Sequence, residues 1–504
     1  MACVRTGTKI FSLFNIGSSV RTMRRGLVFL ALASAAVLSA CTTNPATGRT
    51  QLATLSSAED DARQGAQAHP QILASYGGAY DDMRVGQYVA QVTQRVTHAT
   101  GQPDRPYRVT VLDSPVVNAF ALPGGYVYVT RGLLSLVNDE AELAGVLGHE
   151  IGHVLARHSA QRQTAAFGAS VVGAVLGAVV GNQAVSQAVG LGSQGLIAGY
   201  SRDQEYEADA LGVRYLAAGG YDPYAQADFL QAMDINARAE AQIAGRNDDG
   251  QANWLSSHPA TPERVAAARR LAGQTSVTSA QGDRSRAALL KAVDGMIYGD
   301  SPAQGFVRGR SFIHSVARFR FDVPQGYQLA NGTNAVMAVG PRKEIAKFDS
   351  AKKAKNVSID AYLARVWAHN VPISPVRRFS IHGLNAASAD TQIGNYNARL
   401  VAIDAGQGKV YRFLLGVPRQ GGASGSASAL ESIASSFRLI SAREAASFKP
   451  LRLHVVTVRA GDTMASLSRR MAFDDHKLER FRALNGLPAN AVLQAGQKVK
   501  LAYP

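Results

Sequence analysis

Two histidines four residues apart with a glutamate between them, His149-Glu150-x-x-His153, are the residues of this chain best spaced to do chemistry. They sit in "LAGVLGHEIGHVLARHSAQR" (residues 143–162), where Leu143, Val146, Leu147, Ile151 and Val154 recur at helical intervals. Positions i and i+4 of a helix share one face a turn apart, so both imidazoles can reach a single zinc ion at about 2.0–2.1 Å. Glu150 projects beside them and can take a proton from a metal-acidified water. Gly148 and Gly152 lower helix propensity, and one reason to have them is close approach of another backbone. His158, one turn past the motif, reads as a helix-surface residue.

A third ligand must come from elsewhere, and "SRDQEYEADALG" (residues 201–212) offers Glu205, Glu207 and Asp209 at the start of a second helix. Together the two motifs resemble those of the HtpX and CAAX-prenyl-protease type of zinc metallopeptidases, in particular their BepA-like branch. The resemblance implies that Glu205, the first glutamate of Glu-x-x-Ala-Asp, is the third zinc ligand. Asp209, one turn on, would be the carboxylate that orients a ligand histidine. Glu207 would be a solvated charge. "NAFALPGGYVYVTRGLL" (residues 118–134) resembles the family's active-site edge strand, which would turn Asn118 and Ala119 toward an extended substrate. "SSHPATPER" (residues 256–264) resembles the family's His-Pro segment. By that likeness His258 either stabilises the oxyanion as a catalytic group or occupies the water position and inhibits.

The elements that must position these groups form an α+β unit over residues 57–275, mainly helical with a small sheet, as expected of a gluzincin metallopeptidase domain. Helical patterns run through "SSAEDDARQGAQAHPQIL" and "DDMRVGQYVAQVTQRVTHAT", and "YRVTVLD" and "GGYVYVTRGLL" read as strands. Between the two motif helices, residues 165–200 hold no charge, and Gly173, Gly177 and Gly181 recur every four residues. That stretch reads as a buried helical pair, a flap over the site, or a surface dipping into a membrane. Residues 285–445 form a second α+β domain of short alternating runs, in which His314, His369 and His382 are scattered singly and its role stays open.

A chain of 504 residues is too long for one core. With 46% apolar and 18% charged residues it is globular in composition, not disordered. Arg21, Arg24 and Arg25 precede the apolar run "LVFLALASAAVLSAC", which is short for a membrane span, so residues 1–40 read as a secretion signal, with Met23 a candidate start. Leu38-Ser39-Ala40-Cys41 resembles the lipobox of bacterial lipoproteins. The likeness implies lipidation of Cys41, a tether over residues 41–56 and, with Thr42 after the cysteine, the outer membrane facing the periplasm. The other cysteine, Cys3, falls in the signal, so no intrachain disulfide is expected. The signal carries five of the 53 basic residues and none of the 37 acidic ones, which lowers the net charge from +16 to +11. A cationic surface suits phospholipid head groups or cell-wall polymer. No nucleic-acid motif is present.

"TVRAGDTMASLS", "FRALNGL" and "LQAGQKVKL" near the C terminus read as strand, helix, helix, strand and resemble a LysM module over residues 452–504. The likeness implies binding to peptidoglycan, and residues 441–504 carry eleven basic and five acidic side chains. These readings give a zinc-dependent endopeptidase that acts on unfolded or misassembled envelope proteins. A non-enzymatic assembly factor or chaperone, its zinc site shut by His258, is the competing class, and a cell-wall hydrolase is a weaker third.

Overall fold

The computed structural model describes residues 41–44, 46–48, 50–52, 56–162, 199–243, 257–420 and 425–504. Residues 1–40, expected to be a signal, and residues 165–198 of the uncharged stretch lie outside the described residues. Where a tether was expected, β1 (Cys41–Thr43) pairs antiparallel with β2 (Thr50–Leu52).

Two helices follow, α1 (Ala58–Ser75) and α2 (Met83–Ala99). The Asp82 side chain starts α2 by accepting the main-chain N–H groups of Arg84 and Val85, and Val85, Val89, Val92 and Val96 bury one face at helical spacing. Next comes a three-stranded sheet of β3 (Arg108–Leu112), β4 (Ala119–Leu122) and β5 (Tyr126–Thr130), in the order β3-β5-β4. Gly124 and Gly125, at φ 84° and 83°, make the β4–β5 turn, so β4 returns antiparallel and becomes an edge. The strand expected to run through Leu134 ends at Thr130. Its hydroxyl caps α3 (Arg131–Leu136) by accepting the N–H of Leu133.

The first motif lies on α4 (Glu140–Leu155), and the second on α5 (Arg202–Ala218), started by a reciprocal Ser201–Gln204 capping box. Beyond Leu155 the helix breaks, with Arg157 at φ 57°, and restarts at His158. His158 is therefore not one turn further along the motif helix, and it is fully buried, not at the surface as expected. Then come α6 (Ala225–Ile243), which the sequence reading did not single out, α7 (Pro262–Ala272) and α8 (Arg286–Val293).

After β6 (Ile297–Tyr298) the chain builds a mostly β unit: β7 (Phe306–Arg308), β8 (Ser311–His314), β9 (Phe319–Asp322), β10 (Gln328–Asn331), β11 (Val336–Val339), β12 (Ile345–Lys352), α9 (Ile359–Tyr362), β13 (Arg377–Ile381), β14 (Leu384–Ile393), β15 (Tyr396–Asp404), β16 (Lys409–Pro418), α10 (Ser426–Ser435) and β17 (Arg438–Leu439). Strands β10 to β16 form one antiparallel sheet in the order β10-β11-β12-β16-β15-β14-β13. A core of Phe312, Phe319, Phe321, Phe348, Phe413 and Phe437 fills the α10 side of that sheet, and Ala387, Ala389, Leu400 and Ala402 pack against α9 on the other.

The chain closes with α11 (Ala442–Ser447), β18 (Leu451–Thr457), α12 (Met464–Ser468), α13 (Lys477–Leu484) and β19 (Lys498–Tyr503). Strand β18 lies between β19 and β6, so the C-terminal module borrows a third strand from the segment after α8. Its Lys500 is fully buried, with Nζ donating to the carbonyls of Ser135 and Val137 at 2.6 and 2.7 Å. The module is docked on the motif-bearing unit and does not hang from it as a tail. The architecture is α+β, and no helix among the described residues is long and apolar enough to cross a membrane.

Candidate metal centre

Small residues let the two motif helices meet. A Cβ added to Gly148 would lie 3.4 Å from the Gly212 backbone, and one at Gly152 would lie 3.2 Å from the Leu211 side chain. The glycines thus serve the close approach expected of them, and α5 comes near enough to deliver Glu205 and Asp209 to the histidines of α4.

His149, His153, Glu205 and His258 are all buried, and each turns one ligand atom into a group whose members lie within 4.8 Å of one another. The His149 and His153 Nε2 atoms face each other at 3.0 Å. Glu205 Oε2 is 3.6 Å from His149 Nε2, and Glu205 Oε1 is 3.5 Å from His153 Nε2. Asp209 Oδ1 stands 3.0 Å from His149 Nδ1. A carboxylate there holds the proton on Nδ1 and leaves the Nε2 lone pair directed at the group's centre. Glu150 is 1% exposed, and its Oε1 lies 3.7 Å from His258 Nε2.

His258 reaches into the same group from the short segment before α7. Its Nδ1 is 2.8 Å from Glu205 Oε1 and 3.2 Å from His149 Nε2. Three further residues, not singled out from the sequence, complete the surroundings. Arg264, 2% exposed in the first turn of α7, grips Asp209 with Nε at 2.7 Å and Nη2 at 2.8 Å, pairs with Glu205 at 2.7 Å and donates to the Pro259 carbonyl at 2.8 Å. Gln226 on α6 donates to Asp209 Oδ1 at 3.0 Å. Tyr200 stacks on His153 with ring centroids 3.8 Å apart. Arg264 lay inside a quoted motif, but only its fold-level neighbours reveal that it is buried. Tyr200 and Gln226 carried no signal.

Burial raises the pKa of Asp209, but Arg264 and His149 outweigh it and hold the carboxyl below its usual range. Burial likewise opposes ionisation of Glu205, and its neighbours His258, His153 and His149 bring its pKa well below the ordinary value. For His149, burial works against protonation, while the Asp209, Glu205 and Glu150 carboxylates together raise its affinity for a proton. Three buried carboxylates (Glu150, Glu205 and Asp209) against one guanidinium leave an excess of two negative charges when the imidazoles are neutral. A divalent cation balances that excess, and two imidazoles plus a carboxylate are the donors zinc takes in catalytic sites. The residues present fit the ion.

Asn118 and Ala119 are not among these donors; Asn118 precedes β4 and Ala119 begins it. Ala119 is fully buried and Asn118 is 6% exposed. The Asn118 amide donates to the Tyr76 hydroxyl at 3.1 Å, and its main chain is tied to Thr130. Among the described residues no strand pairs with the outer edge of β4.

Peptidase family M48 matches residues 84–272, and the LysM domain matches residues 456–502. The chain is 32% identical over 208 residues to mitochondrial metalloendopeptidase OMA1 of Schizosaccharomyces pombe, covering 40% of this chain and 58% of that one. It is 30% identical over 213 residues to the beta-barrel assembly-enhancing protease of Yersinia pestis, covering 40% and 42%. To the protein of the same name in Escherichia coli it is 27% identical over 205 residues, covering 38% and 40%. The matched stretch therefore spans at most 58% of these relatives' length. On the motifs, the helix crossing and these matches, residues 84–272 of the chain are a domain of Peptidase family M48 and residues 456–502 are a LysM domain.

Proposed function

We propose that this chain is a zinc-dependent endopeptidase of the bacterial cell envelope that hydrolyses peptide bonds of misfolded or misassembled periplasmic and outer-membrane proteins. The observation that carries the reading is the buried group of His149, His153 and Glu205 donors with the Glu150 carboxylate beside it. Zinc held by these three residues would supply Lewis acidity, acidifying a water and polarising a peptide carbonyl. Glu150 accepts the proton from that water and returns it to the leaving amine. Asp209 fixes the His149 tautomer, and Arg264 keeps Asp209 ionised while also pairing with Glu205. An extended substrate would pair along the outer edge of β4, with which no strand among the described residues pairs.

The His258 ring lies between the carboxylates of Glu205 and Glu150, with Nδ1 2.8 Å from the first and Nε2 3.7 Å from the second. This placement favours a second reading, in which His258 keeps the site shut and the chain serves as an assembly factor until His258 is displaced. Envelope location rests on the signal-like residues 1–40 and the lipobox-like Cys41, which would anchor the chain in the outer membrane. Residues 452–504 would hold peptidoglycan. The test is cleavage of unfolded casein by residues 42–504, as wild type, Glu150→Gln and His258→Ala. A latent peptidase is expected to cut faster after His258→Ala and not at all after Glu150→Gln. Equal cleavage by wild type and Glu150→Gln would refute the peptidase reading, and no cleavage by any form would favour the assembly factor.

A further inference from the structure

The unit between the peptidase and LysM domains carries a polypeptide-shaped site of its own. Its sheet ends at β13, whose Arg377, Arg378, Phe379 and Ser380 are all exposed, and among the described residues no strand covers its outer edge. The β13–β14 hairpin turns through His382 and Gly383, at φ 46° and 82°, with Ile381 opposite Leu384. In a two-residue hairpin the flanking pair exchanges hydrogen bonds, and so do the pairs two and four residues back. The main chains of Ile381, Phe379 and Arg377 therefore face β14. Those of Arg378 and Ser380 point out, with N–H and C=O groups disposed to receive another strand.

The same edge opens onto a groove. Helix α10 crosses one face of the sheet and leaves a cavity of about 300 Å³ between Phe379 on β13 and Ala434 and Ser435 on the helix. It shares Arg399, Leu415 and Glu431 with a second cavity of about 970 Å³ that continues to the other end of α10 at Ala427. A strand added beside β13 would drop every second side chain onto this face next to Phe379, which is 40% exposed, and continue its apolar floor.

Charge selects the occupant. Residues 285–445 carry twenty-one basic and ten acidic side chains, equal to the +11 of the whole chain without its signal. Arg377 and Arg378, 62% and 70% exposed, stand on opposite faces of β13, and each already meets a carboxylate of the unit, Asp390 at 3.6 Å and Asp360, so the preference rests on the surplus of the unit as a whole. Like charges placed opposite one another repel, and acidic side chains there are attracted.

We infer that β13 and the groove along α10 bind an extended polypeptide segment in which apolar residues alternate with acidic ones, added to the sheet as an eighth strand. Resting on the peptidase reading, the occupant is a stretch of unfolded substrate held away from the zinc centre while another part of it is cut. The test uses residues 42–504 carrying Glu150→Gln, so that nothing is cleaved, and a fluorescein-labelled peptide of five Asp-Val repeats, followed by fluorescence anisotropy. Saturable binding is expected, at least tenfold weaker for a peptide of five Lys-Val repeats. Phe379→Asp and Ser380→Pro should each weaken the Asp-Val peptide at least tenfold. Proline at 380 removes an outward N–H that the sheet does not use, so the fold tolerates it and unchanged far-UV circular dichroism verifies this. Absence of saturable binding, equal binding of the Lys-Val peptide, or unchanged affinity in both variants would overturn the proposal. Binding is read without catalysis, so failure here leaves the zinc peptidase reading standing, and failure of casein cleavage leaves this site standing.

Discussion

The peptidase domain and the sheet unit that follows it bury opposite kinds of side chain. Around α4 and α5 the interior holds His149, Glu150, His153, Glu205, Asp209, His258 and Arg264, each 2% exposed or less. Under α10 the interior is a stack of rings, with Phe348 between 4.8 and 6.3 Å from Phe312, Phe319, Phe321, Phe413, Phe437 and Tyr411. Buried charge is destabilising unless partnered, whereas buried rings stabilise through area and packing. The contrast separates a site held for chemistry from a core held for shape, and it predicts that substitutions in the two regions fail differently.

The largest effect falls on catalysis. Glu150→Gln keeps the zinc ligands and removes the base, so casein cleavage should drop by about 10²–10⁴-fold or more while bound zinc is retained. Zinc lost together with activity would mean that Glu150 is a ligand or a structural carboxylate. Phe348→Ala should cost about 3–5 kcal/mol, seen as a lower denaturant midpoint of the sheet unit, with zinc affinity unchanged. Asp209→Ala leaves His149 without its orienting carboxylate and Arg264 without its main partner. Zinc affinity is expected to fall about 10–100-fold, measured by competition with a chromogenic chelator. An unchanged affinity would break the claim that this buried charge exists to hold metal.

The smallest effect concerns the one buried lysine at the docking face of the LysM domain. Burial pushes the Lys500 pKa down to about 7, from 10.5, while burial and the nearby Asp139 push Glu142 up to about 8. Of this pair, above about pH 8 only Lys500 still titrates differently in the two states. The folded chain there holds fewer protons than the unfolded one, so stability gains from this group as pH rises toward about 10. Lys500→Met should flatten the dependence of the thermal midpoint on pH between about 8 and 10, and an unchanged slope would rule this lysine out as its source.

Legibility followed the range of the interactions. His149, Glu150 and His153 could be read because a helix alone puts i and i+4 on one face, and Glu205 and Asp209 share that spacing. The family resemblance supplied which carboxylate goes to the metal. Arg264 escaped notice because an arginine in the first turn of a helix reads as a surface charge until Asp209 and Glu205 are known to lie beside it. In the LysM domain, the alternation of Lys498, Val499, Lys500 and Leu501 puts both lysines on a solvent face. Lys500 is buried because that face packs on the carbonyls of Ser135 and Val137, which a sequence cannot show. Of the sheet unit, the alternating runs that form β9, β11, β15 and β16 were legible, but β12 to β14 and the strand order were not. Strand β12 pairs with β16, its Phe348 facing Phe413 across the intervening α9 and three strands.

If the buried charge around α4 and α5 exists for zinc, purified residues 42–504 hold the metal and Glu205→Ala loses it, as read by atomic absorption after dialysis against metal-free buffer. One zinc per chain in the wild type, lost in the variant, is the expected result. A wild-type chain without zinc, or a Glu205→Ala chain that retains it in full, would contradict the account.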